Sequence, residues 1–200
     1  MTADIKVFNR WGVAEIVVED PGLKDYICLE PRIAPKSGSR YAGFRFYKSK
    51  TFIVERLINK LMIPGHKSKK HFKSSFHITG KASTAYDIVE EVLKLLEKRL
   101  NENPIKVLVK AIENAAPREE IITIEYGGAR YPKAIEMAPQ RRLDQAMKYM
   151  TQGAYQKSFN SKRQIESTLA DEIIAAYNLS PTSAAIAKKL ELERQADASR

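Results

Sequence analysis

The hydrophobic periodicity of this sequence changes twice, and these changes limit the folds available to the chain. Over residues 51–116 and again over residues 140–198, apolar residues recur at the spacing of amphipathic helices. Between them lie two β-rich segments, residues 119–126 and 129–137, joined by Gly127-Gly128, a loop suited to a type I′ or II′ hairpin turn. Because nothing else in the chain offers these strands a sheet, the hairpin should project from the helices or rest on one of them.

About six helices are predicted, several of them with clear boundary residues. Pro64-Gly65 ends the first, Ser83 or Thr84 caps the second, Asn103-Pro104 opens the third, and Ser180 with Pro181 opens the last. The six are expected near residues 51–62, 84–100, 104–116, 140–153, 160–177 and 181–198. The predicted fold is mainly α: a helical bundle with one inserted, protruding β-hairpin.

The first fifty residues differ from the rest because proline, glycine and mixed patterns interrupt them. Residues 1–20 could form a strand or an arm packed on the body. We therefore predict an irregular N-terminal extension, residues 1–50, and a single helical domain, residues 51–200, with the hairpin near residues 119–137.

The charge of the chain is the main indication of a partner. It has 34 Lys and Arg against 24 Asp and Glu, a net charge of +10, which implies a polyanion: nucleic acid first and an anionic membrane second. Residues 1–31 carry a net charge of −3, so the remainder carries +13. A basic globular protein without such a partner is the alternative. No apolar run could span a bilayer and no secretory segment begins the chain, so a cytoplasmic protein is expected.

No motif for catalysis in the sequence is complete. Gly80-Lys81 before a helix is similar to a phosphate-binding loop, but Ser75 stands where that motif needs a glycine and Ala82 where it needs Ser or Thr. Acidic pairs such as Glu90-Glu91 lie on predicted helices beside basic residues, where surface ion pairs explain them. We therefore predict that the protein is not an enzyme and uses no cofactor.

The histidines and the cysteine do not form a recognisable metal site either. His66, His71 and His77 lie close together, but among lysines that repel a dication and without a nearby carboxylate or thiol. The single cysteine, Cys28, excludes an intramolecular disulfide framework and a cysteine-rich zinc site. We predict no metal.

Basic residues alternate with aromatic residues over residues 31–50. Such a segment suits a strap on RNA, in which cations contact phosphates and rings stack on bases; an ordinary loop anchored by its rings is the alternative. The loop over residues 65–81 is basic without any acid, which favours a polyanion over the alternative of a solvated loop. The cations predicted to contact RNA in these two segments are Arg40, Arg45, Lys48, Lys50, Lys67, Lys69, Lys70, Lys73 and Lys81.

Two helix starts are also basic, with Arg141 and Arg142 after Pro139, and Lys162 and Arg163 after Asn160 and Ser161. Cations in a first helical turn are unfavourable, by up to about 1 kcal/mol each, so an external phosphate is predicted there.

The tip of the hairpin, residues 126–131, combines a flexible backbone, a cation and two rings. It could probe nucleic acid, or its two tyrosines could pack against the bundle.

Several blocks of the sequence resemble small ribosomal subunit protein seven, in the archaeal and eukaryotic branch of that family. The blocks are RYAGFRF (Arg40–Phe46), IVERLINKLM (Ile53–Met62), ENPIKVLVKAIENAAPRE (Glu102–Glu119), the Gly127-Gly128 hairpin, APQRRLDQAM (Ala138–Met147), LADEIIAAY (Leu169–Tyr177) and SAAIAKKLELERQADASR (Ser183–Arg200). The loop at residues 65–80 is longer than the bacterial pattern, and the hairpin tip is less basic than in many relatives.

The resemblance implies a structural ribosomal protein that binds the 3′ major, or head, domain of small-subunit rRNA and helps to nucleate head assembly. It implies that the tip residues Gly127, Gly128, Ala129, Arg130 and Tyr131 lie near exit-site tRNA and mRNA, and that small-subunit proteins nine and eleven are neighbours. A free helix-turn-helix DNA-binding regulator is the alternative; it requires one helix that carries the base-reading residues.

Overall fold

The computed structural model describes residues 5–38, 43–67, 70–71, 73–75 and 77–200, with the backbone alone at residues 66–67 and 70–71. Within these residues there are seven helices and two antiparallel two-stranded sheets. The helices are α1 (Pro21–Lys24), α2 (Ile53–Leu61), α3 (Ala82–Leu100), α4 (Pro104–Ala115), α5 (Pro139–Ser158), α6 (Ile165–Tyr177) and α7 (Ala184–Asp197). The strands are β1 (His66–Lys67), β2 (Lys70–His71), β3 (Glu119–Tyr126) and β4 (Ala129–Glu136). The predicted mainly α fold with an inserted hairpin is confirmed.

Helix α6 forms the centre of the bundle, with α3, α4 and α5 packed around it. It is apolar around most of its circumference, and of its residues only Asp171 is exposed, as expected for a helix enclosed on several sides. None of the helices within the described residues has both the length and the apolar character needed to cross a bilayer.

Four predicted helix boundaries are wrong. Helix α5 continues to Ser158 rather than ending near residue 153. Helix α3 begins at Ala82, with Lys81 at the N-cap, and has no side-chain cap. Helix α6 begins at Ile165 rather than near residue 160, because the chain turns through a left-handed Asn160 after α5. Helix α7 is capped by Ser183, not Ser180, since the Ser183 hydroxyl accepts a hydrogen bond from the backbone N–H of Ile186.

The N-terminal residues form an arm packed on the helices, which settles the alternative left open by the sequence. Val7, Trp11 and Ile16 are buried in the same apolar core as the helices, and the Phe8 ring lies 4.8 Å from the Tyr86 ring of α3. Glu19 pairs with Lys110 of α4, so the acidic end of the chain meets basic helix surface.

The hairpin both rests on a helix and projects from it. Gly127 and Gly128 have φ values of 58° and 83°, as a type I′ turn requires. The strand ends remote from this turn lie on α7, where the Arg118 N–H donates to a Glu193 carboxylate oxygen at 3.2 Å. Tyr126 and Tyr131 at the other end are exposed, so the tip tyrosines do not pack against the bundle.

Helices α5, α6 and α7 meet at a buried carboxylate. Glu172 is 0% exposed and accepts hydrogen bonds from the Ser183 hydroxyl at 2.7 Å, the Ala185 N–H at 3.2 Å and the Lys157 ammonium at 2.8 Å. Gly153 allows this close approach, since a Cβ there would lie 2.6 Å from the Ala184 Cβ.

We expect Gly153→Ala to destabilise the protein, although alanine favours a helix over glycine by up to about 1 kcal/mol. Overpacking at a contact of 2.6 Å should outweigh that gain and lower the free energy of unfolding by about 1–3 kcal/mol. Gly12→Ala is the matched control, since its added methyl meets nothing within 4 Å. Urea unfolding of both variants tests this, and a stabilised Gly153→Ala variant would contradict the close packing.

Candidate nucleic-acid interface

Three groups of predicted site residues contact helix α5, and the helix fixes their positions relative to one another. Near its start, Arg141 pairs with Glu120 of the hairpin at 2.7 Å, and Asp144 pairs with Lys48 of the N-terminal extension. Near its end, the Gln156 carbonyl accepts a hydrogen bond from the Lys73 ammonium at 3.2 Å. At 1.5 Å per residue, Asp144 and Gln156 are separated by roughly 18 Å along the helix axis. The two ends can therefore reach different segments of a polynucleotide.

The described part of the basic and aromatic segment, residues 43–50, is called the strap from here on. Its rings Phe44, Phe46 and Tyr47 are exposed, and the Arg45 guanidinium lies 5.1 Å from the centre of the Phe46 ring. The Lys50 ammonium lies 5.8 Å from the Tyr47 ring. Exposed rings beside cations can stack on bases while the cations contact phosphates. Arg40, predicted to act with them, lies outside the described residues.

The strap is attached to the bundle through one carboxylate, Asp144. It receives a hydrogen bond from Lys48, and Arg56 and Lys60 lie 3.3 and 3.9 Å from it. Burial opposes ionisation of Asp144, but the hydrogen bond from Lys48 and the surrounding positive charges outweigh it, so the pKa of the carboxyl is lowered. Arg56 is almost fully buried and also donates to the Tyr26 carbonyl at 3.1 Å. Lys48 thus anchors the strap in this structure.

A groove of about 430 Å³ lies between the strap and α5. We call it the strap–α5 groove; its lining includes four cations. They are Arg45, Lys60, Arg141 and Lys148. Burial is the main reason why the pKa values of Lys60 and Lys148 are lowered, and the charge of Arg141 adds to the effect at Lys148. A bound anion would stabilise the charged form of both lysines.

Lys60 and Lys148 were not among the site residues predicted from the sequence. Lys148 could have been found, because it follows Arg141 by seven residues, two helical turns on the same face of α5. Lys60 gave no such signal, because its neighbours in the groove come from distant parts of the chain.

Arg141 and Arg142 are in the first turn of α5, as predicted, but carboxylates of the protein offset their charge. Arg142 pairs with Asp20 at 2.8 Å and donates to the Pro117 carbonyl at 3.1 Å, and its side chain is 12% exposed. Burial opposes ionisation of Asp20, but its hydrogen bonds from Arg142 and from the Gly22 N–H outweigh it and lower its pKa. No external anion is therefore needed to explain these two positions, although Arg141 stays exposed.

The basic loop packs on the far end of α5. The Lys73 ammonium lies 4.7 Å from the centre of the Phe159 ring, and the Tyr155 hydroxyl donates to the Ser74 carbonyl. Lys67 and Lys70 pair through their backbones as partners in β1 and β2, and Lys69 lies outside the described residues. Lys81 is exposed at the start of α3.

Lys162 and Arg163 are exposed in the turn between α5 and α6, and so lie before α6 rather than in its first turn. The prediction that they oppose a helix dipole is wrong, because the helix begins at Ile165. They follow Phe159, whose ring contacts Lys73, by only a few residues. The far end of α5 therefore carries a second group of cations.

The hairpin tip carries one cation, Arg130, whose guanidinium lies 3.6 Å from Glu125. Both side chains are exposed, so this ion pair contributes little and can exchange for another anion. Gly127, Gly128 and Ala129 leave the backbone of the tip open to close approach, with Tyr126 and Tyr131 on either side.

Catalytic chemistry gains no support from the site. Across residues 5–200, apart from those not described, no group of three or more His, Cys, Asp or Glu could hold a metal ion. Burial raises the pKa of the Cys28 thiol, which disfavours the thiolate that a nucleophile requires.

Replacing Asp144 tests the attachment of the strap. Asp144→Asn removes the carboxylate that lies 3.3 Å from the buried Arg56 guanidinium, and we expect a loss of about 2 kcal/mol of unfolding free energy at pH 7. This is below the 3–5 kcal/mol typical of fully buried pairs, because Asp144 is partly exposed. Since the folded pKa of Asp144 is lowered, its contribution is full above about pH 4 and is lost as the pH falls through the folded value.

The difference between wild type and Asp144→Asn in urea unfolding should therefore shrink below about pH 4. Asp171→Asn, which breaks the more exposed pair with Arg99, is the control and should cost less than about 1 kcal/mol. A difference for Asp144→Asn that stays constant from pH 7 to pH 3 would argue against the ion-pair explanation.

Comparisons with known proteins identify the family of the chain. The family model described as Ribosomal protein S7p/S5e matches residues 23–200. The chain is 53% identical to small ribosomal subunit protein uS7 of Nanoarchaeum equitans, over 98% of this chain and 99% of that protein. It is 46% identical to the uS7 proteins of Archaeoglobus fulgidus and Methanothrix thermoacetophila, over 98% of this chain and 96% and 100% of those proteins. These are ribosomal proteins rather than enzymes, and the chain belongs to the S7p/S5e family of small ribosomal subunit proteins.

Proposed function

We propose that this small-subunit ribosomal protein binds the 3′ major domain of small-subunit rRNA, which forms the head, and helps to nucleate head assembly. The observation that carries the proposal is the separation of two groups of cations by α5. Arg45 and Lys50 belong to the strap, which Lys48 attaches near the start of the helix, and Lys73, Lys162 and Arg163 lie near its end. Within the described residues none of these five forms an ion pair with a carboxylate, so their charge is available to phosphate.

A rigid helix between two cationic groups suits RNA assembly. Segments of RNA that approach each other repel, and cations anchored at helix positions roughly 18 Å apart can bind two segments at once. The apolar core fixes that distance before RNA binds. The protein would therefore stabilise one arrangement of RNA segments over others, which is what nucleation of the head requires.

A free helix-turn-helix DNA-binding regulator is disfavoured by the same structure. Such a protein presents one exposed helix that carries the base-reading residues. Here α6 is enclosed, and α7 packs on α5 and the hairpin. The five cations named above lie on the strap, a loop and a turn, which suits the irregular surface of folded RNA.

We also propose that the hairpin lies beside the path of tRNA and mRNA. Residues 127–131 project from the bundle, and their exposed backbone and rings suit contact with single-stranded RNA. We assign this tip a position near exit-site tRNA and mRNA. Small-subunit proteins nine and eleven are the proposed protein neighbours, as the family resemblance implies.

Salt dependence of binding to a head-domain rRNA transcript tests the proposal. If Lys81 adds to the five cations above, six phosphate contacts give a slope of log affinity against log salt near −5. Affinity should then fall about 10³-fold between 50 and 200 mM salt. Lys162→Ala/Arg163→Ala should reduce the magnitude of the slope by about 2.

Lys98→Ala/Lys106→Ala is the matched control, since it removes the same charge from exposed positions of α3 and α4 outside the proposed interface. It should leave the slope close to that of wild type. Filter binding at five salt concentrations measures all three proteins. A nearly salt-independent wild type, or equal losses in both double variants, would contradict the proposal.

A further inference from the structure

We propose that the strap–α5 groove holds one unpaired nucleotide of the RNA, with its phosphate between Lys60 and Lys148 and its base against the Phe46 ring. This inference deepens the proposed function and rests on it. It assigns to the groove a ligand of defined chemistry, a single ribonucleotide displaced from the base-paired stack.

The charges that line the groove favour the binding of an anion. Asp144 is the carboxylate that lines the groove, and Lys48 and Arg56 lie closer to it than Lys60 does. Lys148 forms no ion pair with a carboxylate of the described residues, and its neighbouring charge is Arg141. Lys148 is therefore unpaired and Lys60 is only partly neutralised, and a phosphate between them would contact both.

The remainder of the lining fits a base better than a second phosphate. Phe46 presents an exposed ring, and two amide side chains, Gln140 and Gln145, line the same groove. The Gln145 amide oxygen is shielded from solvent and has no hydrogen-bond partner in the described part of the chain. Rotation of the Gln145 side chain toward the groove would let this oxygen accept a hydrogen bond from the amino group of a base. The groove volume of about 430 Å³ is within the range of small-ligand pockets.

The nucleotide has to be unpaired. In an A-form duplex the faces of each base are covered by its neighbours, and its edges are occupied by its partner, so only phosphate and sugar could reach the groove. A base in a bulge or loop can leave the stack and place its face on an aromatic ring. The ring and the amides then act together with the two lysines.

Three variants in the full chain separate the parts of the site, with the head-domain transcript as ligand. Lys60→Ala/Lys148→Ala should weaken binding at least tenfold and reduce the magnitude of the salt slope by about 1, because the two lysines share one phosphate beyond the six contacts counted above. Phe46→Ala should weaken binding about tenfold with an unchanged salt slope, since stacking releases no counterions. Phe46→Tyr should restore affinity, because the ring is retained.

Lys98→Ala/Lys106→Ala again controls for loss of charge, and thermal unfolding shows whether each variant is folded. Lys148→Ala alone replaces the double variant if loss of Lys60 prevents folding. Wild-type affinity in the lysine variants would overturn the groove proposal while leaving rRNA binding intact. Loss in the lysine variants with wild-type affinity in Phe46→Ala would show a backbone phosphate without a base, and would overturn it also. A wild-type protein that does not bind the transcript would instead refute the proposed function.

Discussion

The carboxylate of Asp144 is the point on which the arrangement of the interface depends. It joins the strap and α2, which are neighbours in sequence, to the distant helix α5 through Lys48, Arg56 and Lys60. A buried arginine such as Arg56 is tolerated only beside a countercharge and hydrogen-bond acceptors, because the cost of removing it from water is several kcal/mol. Asp144 supplies that countercharge. One carboxylate among three cations also leaves positive charge in excess, so the contact that holds the strap in place makes the adjoining groove attractive to phosphate.

A buried carboxylate also fixes the other end of α5, but its charge is balanced. Glu172 is fully buried, and two of its partners, Ser183 and the Ala185 N–H, belong to the start of α7, while Lys157 comes from α5. Here the carboxylate is satisfied and the charges balance, so the contact fixes the helices without attracting a ligand. Helix α5 is therefore held at both ends, and the distance between its two cationic groups is set by packing rather than by RNA.

Periodicity and turn residues were sufficient to predict the six longer helices and the hairpin, but not the short helix α1, because the longer elements depend on residues close in sequence. Gly127-Gly128 is the clearest case, since the type I′ turn needs positive φ at both positions. The beginning of α7 was misplaced because the advantage of Ser183 over Ser180 comes from Glu172, a tertiary partner. For the same reason the sequence alone could not show which cations are neutralised. Arg142 pairs with Asp20, which lies 122 residues earlier in the chain. The composition gives the net charge, but only the fold determines which charges remain available.

The uneven distribution of charge along the chain can be understood on this basis. The acidic N-terminal arm packs on the helices, where Glu19 pairs with Lys110 and Asp20 with Arg142. Its carboxylates thus neutralise cations that would otherwise repel one another within the folded protein. Neither Glu19 nor Asp20 pairs with the strap cations Arg45 and Lys50, or with the cations of the turn before α6. Since ion pairs within the protein compete with phosphate for the same cations, these two pairings leave the strap and the turn with positive charge where RNA is proposed to bind.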